Sequence, residues 1–196
     1  MFRTSISILD ISAYLGLAAV GAVTLNMLLG MLMAFRYSPM RHWPHRRFNY
    51  FRLHNRCGYI ALGAAMLHAA TLLLNKAPKF RLLDLVYPLH SPSQPIENTI
   101  GAVALYLLAI VVITSYFRTR LGRRMWKAFH FSIYFAAAAL FFHSLLTDPE
   151  LKNAPVDWLD GGKIFVEFCL ALIAIFSLLR WRYARKKAAR RLLSRV

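Results

Sequence analysis

Residues 53–68 read LHNRCGYIALGAAMLH, a small and apolar run with a histidine near each end. On an ideal helix each residue turns about 100° and rises about 1.5 Å. His54 and His68, fourteen residues apart, therefore come within about 40° of four full turns and stand about 21 Å apart along the axis. They share one face at two depths. Between them that face carries Gly58, Ala61 and Ala65, whose side chains leave a groove along the helix. Small-residue faces also serve plain helix packing in membranes; the two histidines bracketing this one favour a bound group.

Working outward, this run is one of five apolar stretches, about 11–35, 54–75, 99–117, 126–147 and 163–180. Each is near the length needed to cross a bilayer core. The chain has 196 residues, of which 58% are hydrophobic. That composition implies an all-α integral membrane bundle of about five transmembrane helices, with residues 1–196 forming a single domain. The first stretch is too long for a signal-peptide core and reads as a retained span.

The net charge of +17 could suggest nucleic acid, but its placement does not. Basic residues crowd Arg36–Arg56, Arg118–Lys127 and Arg180–Arg195, whereas Asp84, Glu97, Asp148, Glu150, Asp157 and Asp160 lie in the intervening segments. Basic loops on one side are the positive-inside pattern. It puts the N-terminus outside and the C-terminus inside, with a basic tail, 181–196, along the inner leaflet. Such a face holds anionic lipid and could also dock an acidic partner. Cys57 and Cys169 have no metal-binding or redox spacing and read as small embedded side chains. His42 and His45 flank Pro44 in the first loop, which argues against a metal site there, and His90 reads as a surface residue.

The fourth span contains a second histidine pair, His130 and His143, bracketing Ala136–Ala139. Thirteen residues fall about 140° short of four turns, so a bend, some overwinding, or approach from different flanks must make up the difference. The second and fourth spans run in the same direction. That pairs His54 with His130 and His68 with His143. Ionisable side chains at membrane depth are costly and mark function. Neutral imidazoles are good haem-iron ligands, and two per iron leave no open position. The four histidines thus read as axial ligands of two stacked haems. Arg52, Arg56, Arg123 and Arg124 are candidates to compensate the propionates of the inner one, Arg56 first.

These residues resemble the ferric reductase-like transmembrane domain family, which includes the membrane parts of NADPH oxidases and ferric reductases and the haem-b subunit of the bacterial methionine-sulfoxide reductase system. The resemblance covers roughly 47–182. It rests on the two histidine pairs, on LHNRCGYIALGAAMLH and on RTRLGRRMWKAFHFSIY, residues 118–134. It implies a haem-binding bundle that moves electrons from a cytoplasmic or membrane donor to an outer-side acceptor, with His54, His68, His130 and His143 as ligands. The flavin and nicotinamide portions of the larger members are missing here, and five spans stand where the family has six.

No G-x-G-x-x-G, P-loop or HExxH motif occurs, so a separate flavin reductase, reduced flavin or a quinol must supply electrons. The expected protein is a di-haem b-type cytochrome of a bacterial inner membrane. Its acceptor would be a periplasmic redox protein, a ferric chelate or oxygen. Two other classes fit the same residues: a haem-binding anchor or assembly subunit without turnover, and a small proton-relaying transporter.

Overall fold

The computed structural model describes residues 6–35, 49–152 and 155–193; the first-loop residues His42, Trp43 and His45 lie outside these. Among these described residues seven α-helices follow in order: α1 Ile8–Ala34, α2 Tyr50–Thr71, α3 Leu82–Val86, α4 Pro95–Tyr116, α5 Arg118–Phe131, α6 Ile133–Leu146 and α7 Gly161–Leu193. Among the described residues five spans are long and apolar enough to cross a membrane, with α5 and α6 together forming the fourth. The chain is an all-α membrane bundle.

Local chemistry sets the helix ends. At the start of α1, Ser7 and Asp10 form a capping box, each side chain meeting the other residue's backbone N–H. Asn49 caps α2 by accepting from the Arg52 N–H at 3.0 Å. Pro95 opens α4, where a missing N–H costs nothing. Gln94 just before it takes a left-handed conformation, φ 48°. Its buried side chain exchanges two 2.9 Å hydrogen bonds with the backbone of Asp148. That pair ties the loop before α4 to the loop after α6, at the end of the bundle that carries the acids.

Within the bundle, α1 packs along α2 and against α7, and α4 packs along α6. Val20, Val23, Met27 and Met31 of α1 meet Ala61, Leu108, Ala137, Phe141, Val166 and Ile173 in one core. The outward faces stay apolar: Ile60, Leu67, Phe135 and Phe142 are all exposed, as lipid-facing side chains are. Cys57 and Cys169 are buried and free. Among the described residues α2 and α6 are not close packing partners. Each leans on another helix, and space remains between them.

Two breaks shape the fourth span. Gly122 inside α5 has φ 73° and ψ 159°, a conformation that essentially only glycine adopts, and the helix turns there. Ser132 separates α5 from α6. Its N–H bonds back to Phe129 O at 3.1 Å, and Phe135 N–H bonds to Ser132 O at 3.0 Å. These three-residue steps turn about 20° more per residue than an α-helix does. They contribute part of the extra rotation that a thirteen-residue histidine spacing needs.

The fifth span departs from a short helix followed by a separate tail. Helix α7 continues unbroken through Arg180, Arg185 and Arg190. At about 1.5 Å per residue its 33 residues reach about 50 Å, well beyond a hydrocarbon core of about 30 Å.

Candidate functional site

The four intramembrane histidines meet in two pairs. His54 and His130 have ring centroids 6.0 Å apart at an interplanar angle of 65°. His68 and His143 repeat this at 6.0 Å and 68°. The first pair lies towards the basic end of the bundle, the second towards the acid-bearing end. Each borders its own cavity, of about 250 Å³ at the basic end and about 220 Å³ at the other.

Neighbouring helices hold the rings from behind. His54 Nδ1 donates to the Asn26 carbonyl at 3.0 Å. His68 Nδ1 donates to Ser12 O at 2.7 Å, and His143 Nδ1 donates to Glu97 O at 2.8 Å. A carbonyl oxygen can only accept, so the proton sits on Nδ1 in all three. In a neutral ring the lone pair is then on Nε2. Near His130 Nδ1 stands a hydroxyl instead, Ser115 Oγ at 3.3 Å. Trp126 stacks on the His130 ring, centroids 5.1 Å apart.

Glycines make these approaches possible. A β-carbon at Gly30 would lie 3.3 Å from His54 Cε1, and one at Gly16 would lie 3.2 Å from His68 Cε1 and Nδ1. At Gly101 it would lie 2.8 Å from the same atoms of His143. Each glycine sits four residues after the accepting carbonyl, so the ring drops into the notch and reaches the turn below. Gly16 and Gly30 are fourteen apart on α1, the spacing of their histidines on α2. That correspondence stands in the sequence and is the signal that could have found them.

The groove residues divide among these features. Gly58 lines the basic-end cavity, Ala65 lines the other, and Ala61 is fully buried in the core between them. The candidate arginines do not gather at the site: Arg52, Arg56, Arg123 and Arg124 are exposed and line neither cavity. Among the described residues the cation at the basic-end cavity is Arg118, whose guanidinium lies 4.5 Å over the Phe51 ring. Arg180 is half-buried, donates to Tyr134 OH at 3.0 Å and packs over Phe131. At the opposite cavity the cation among the described residues is Lys163. It is buried, and its Nζ donates to the carbonyls of Ser144, Leu145 and Thr147 at 2.6–2.9 Å. His90 is exposed.

Chemically, each pair presents two imidazoles across a gap from opposite sides. Among the described residues no group of three or more His, Cys, Asp or Glu side chains could hold a metal ion. An ion taken between two of these rings would bring its remaining ligands with it.

No curated protein and no solved structure matches the chain. A family model does, over residues 15–141, and its description is Ferric reductase like transmembrane component. The match takes in His54, His68 and His130 together with Gly16, Gly30, Gly101, Ser115 and Trp126; His143 falls just past its end. It spans well over half of the 196 residues, and the chain belongs to the ferric reductase-like transmembrane family.

Proposed function

We propose that this chain is a di-haem b-type cytochrome that carries electrons across a bacterial inner membrane, with His54 and His130 binding one haem and His68 and His143 the other. The single observation that carries this reading is the pair of histidine pairs at one common separation. Two metal–nitrogen bonds of about 2 Å, plus about 1 Å from each nitrogen to its ring centre, span about 6 Å. Membership of the family adds weight, since ferric reductase-like transmembrane domains generally bind haem.

The residues fit the group in three further ways. Two imidazoles per site are what a macrocycle that brings four nitrogens of its own requires. The Nδ1–H bonds to helix carbonyls orient the rings and raise their basicity as ligands. Each pair adjoins a cavity between helices that do not pack closely on each other. Haem, when bound, supplies one-electron chemistry. His54, His130, His68 and His143 would hold the two groups, and the surrounding helices would exclude water and set how readily each is reduced.

About 21 Å of helix rise separates His54 from His68, so the two pairs stand as stepping points through the core. Arg118 lines the basic-end cavity and would face a propionate there. The concentration of Arg and Lys at that end supports placing it in the cytoplasm, with the N-terminus outside and the C-terminus inside. A flavin reductase, reduced flavin or quinol would deliver electrons there. A periplasmic protein, ferric chelate or oxygen would take them on the other side. Each electron moving outward couples to the membrane potential at about 2.3 kcal/mol per 100 mV.

Vesicles containing the purified protein and enclosed ferricyanide, given reduced flavin or a quinol outside, test this. Enclosed ferricyanide should be reduced faster than in protein-free vesicles, and His68→Ala should abolish the difference. Haem-loaded protein without transfer would favour an anchoring subunit instead. Protein that takes up no haem would leave proton relay by the histidines.

A further inference from the structure

Three of the four rings are held alike. His54, His68 and His143 lie over Gly30, Gly16 and Gly101 and donate to the carbonyl four residues earlier. On α4 the position fourteen residues after Gly101 is Ser115, where the pattern would put a glycine. Its Oγ is 3.3 Å from His130 Nδ1, longer than the 2.7–3.0 Å contacts of the other three. Trp126 Nε1 donates to the same oxygen at 3.4 Å while its ring stacks on His130 at 29°. The group behind His130 Nδ1 is therefore a hydroxyl, whose oxygen also accepts from Trp126.

We infer that Ser115 and Trp126 are positioning residues that set the reduction potential of the basic-end site apart from that of the other, by limiting how much electron density His130 can give. This rests on the haem reading above. An imidazole that donates a strong Nδ1–H bond becomes the more basic ligand, stabilises the oxidised iron and lowers its potential. With its Nε2 held to iron, the neutral His130 ring carries its proton on Nδ1 and donates to an oxygen that Trp126 also engages, which makes it the weakest donor of the four. The indole N–H competes with His130 for that oxygen, and the serine transmits the competition.

Two substitutions should then act in opposite directions. Ser115→Ala removes the acceptor and should raise the basic-end potential. Trp126→Phe keeps the stacked ring but frees the oxygen, and should lower it. Ser115→Thr restores a hydroxyl and should return the wild-type value. The experiment is an optical redox titration of the haem-loaded protein in detergent. The basic-end transition is identified as the one missing in His54→Ala.

Opposite shifts of that transition, with the other unmoved, support the assignment. Shifts of the same sign, no shift, or equal movement of both transitions would overturn it. If Ser115→Ala loses the basic-end haem, the Trp126→Phe titration alone decides, by the direction of its shift. Wild-type protein that binds no haem would instead bring down the proposed function. Two wild-type haems with unresponsive potentials would bring down only this inference.

Discussion

A β-carbon built on Gly101 would stand 2.8 Å from both Cε1 and Nδ1 of His143, inside the closest approach real side chains show. Contact this tight against a helix backbone cannot be relieved by a small adjustment of the ring, because Nδ1 is also bonded to Glu97 O at 2.8 Å. Gly101→Ala should therefore dislodge His143 and lower the haem content from two towards one per chain. Gly63, with nothing within 4 Å of a built β-carbon, is the control. Gly63→Ala should keep both haems, measured as haem per chain after purification.

Removing a ligand should act on one site at a time. The two pairs border separate cavities about 21 Å of helix rise apart, so they share no wall that one substitution would collapse. His54→Ala should lose mainly the basic-end haem and His68→Ala mainly the other. Difference spectra of the two variants should sum to the wild-type spectrum. Simultaneous loss of both haems from either variant would count against independent sites.

Arg118, rather than Arg56, is expected to matter for haem retention. Arg118 lines the basic-end cavity, whereas Arg56 is exposed and lines neither. Arg118→Gln should speed haem loss at the basic end several-fold over Arg56→Gln, followed as transfer of haem to an excess of apomyoglobin. Equal rates would argue that the arginine sits over Phe51 only to pack.

Gly122 should not tolerate a side chain. Its φ of 73° and ψ of 159° lie where a β-carbon costs about 1–3 kcal/mol. Gly122→Ala should lower the unfolding temperature in detergent and reduce haem at the basic end more than at the other, since Arg118 and His130 lie on either side of it.

Lys163 holds the end of α6 that carries His143. Its ammonium supplies three donors to three carbonyls of the last turn and the residue after it. Lys163→Met leaves those carbonyls without their partner, at a cost of about 1–3 kcal/mol. The melting temperature should fall, and hydrogen exchange should rise selectively in residues 143–147.

The sequence made the bundle and the histidine positions legible because membrane depth leaves few reasons for an imidazole and few lengths for a helix. Spacing alone placed His54 and His68 on one face. It could not place His143 relative to His130, because the tight turn at Ser132 is a local departure from the α-helical angle. Arginines near span ends look equivalent in a sequence. What distinguishes Arg118 is its place in the cavity wall, between Tyr116 and Thr119. The glycines have no side-chain chemistry and Ser115 is an ordinary hydroxyl in an apolar span, so both carry a signal only in register with another helix.

Haem stoichiometry and the optical spectrum of the purified chain bear most directly on the ligand assignment. About two haems per chain should be found, both with low-spin b-type bands in the reduced state, as two imidazoles on each iron require. Protein purified from haem-replete cells without bound haem, or with a high-spin spectrum, would contradict it.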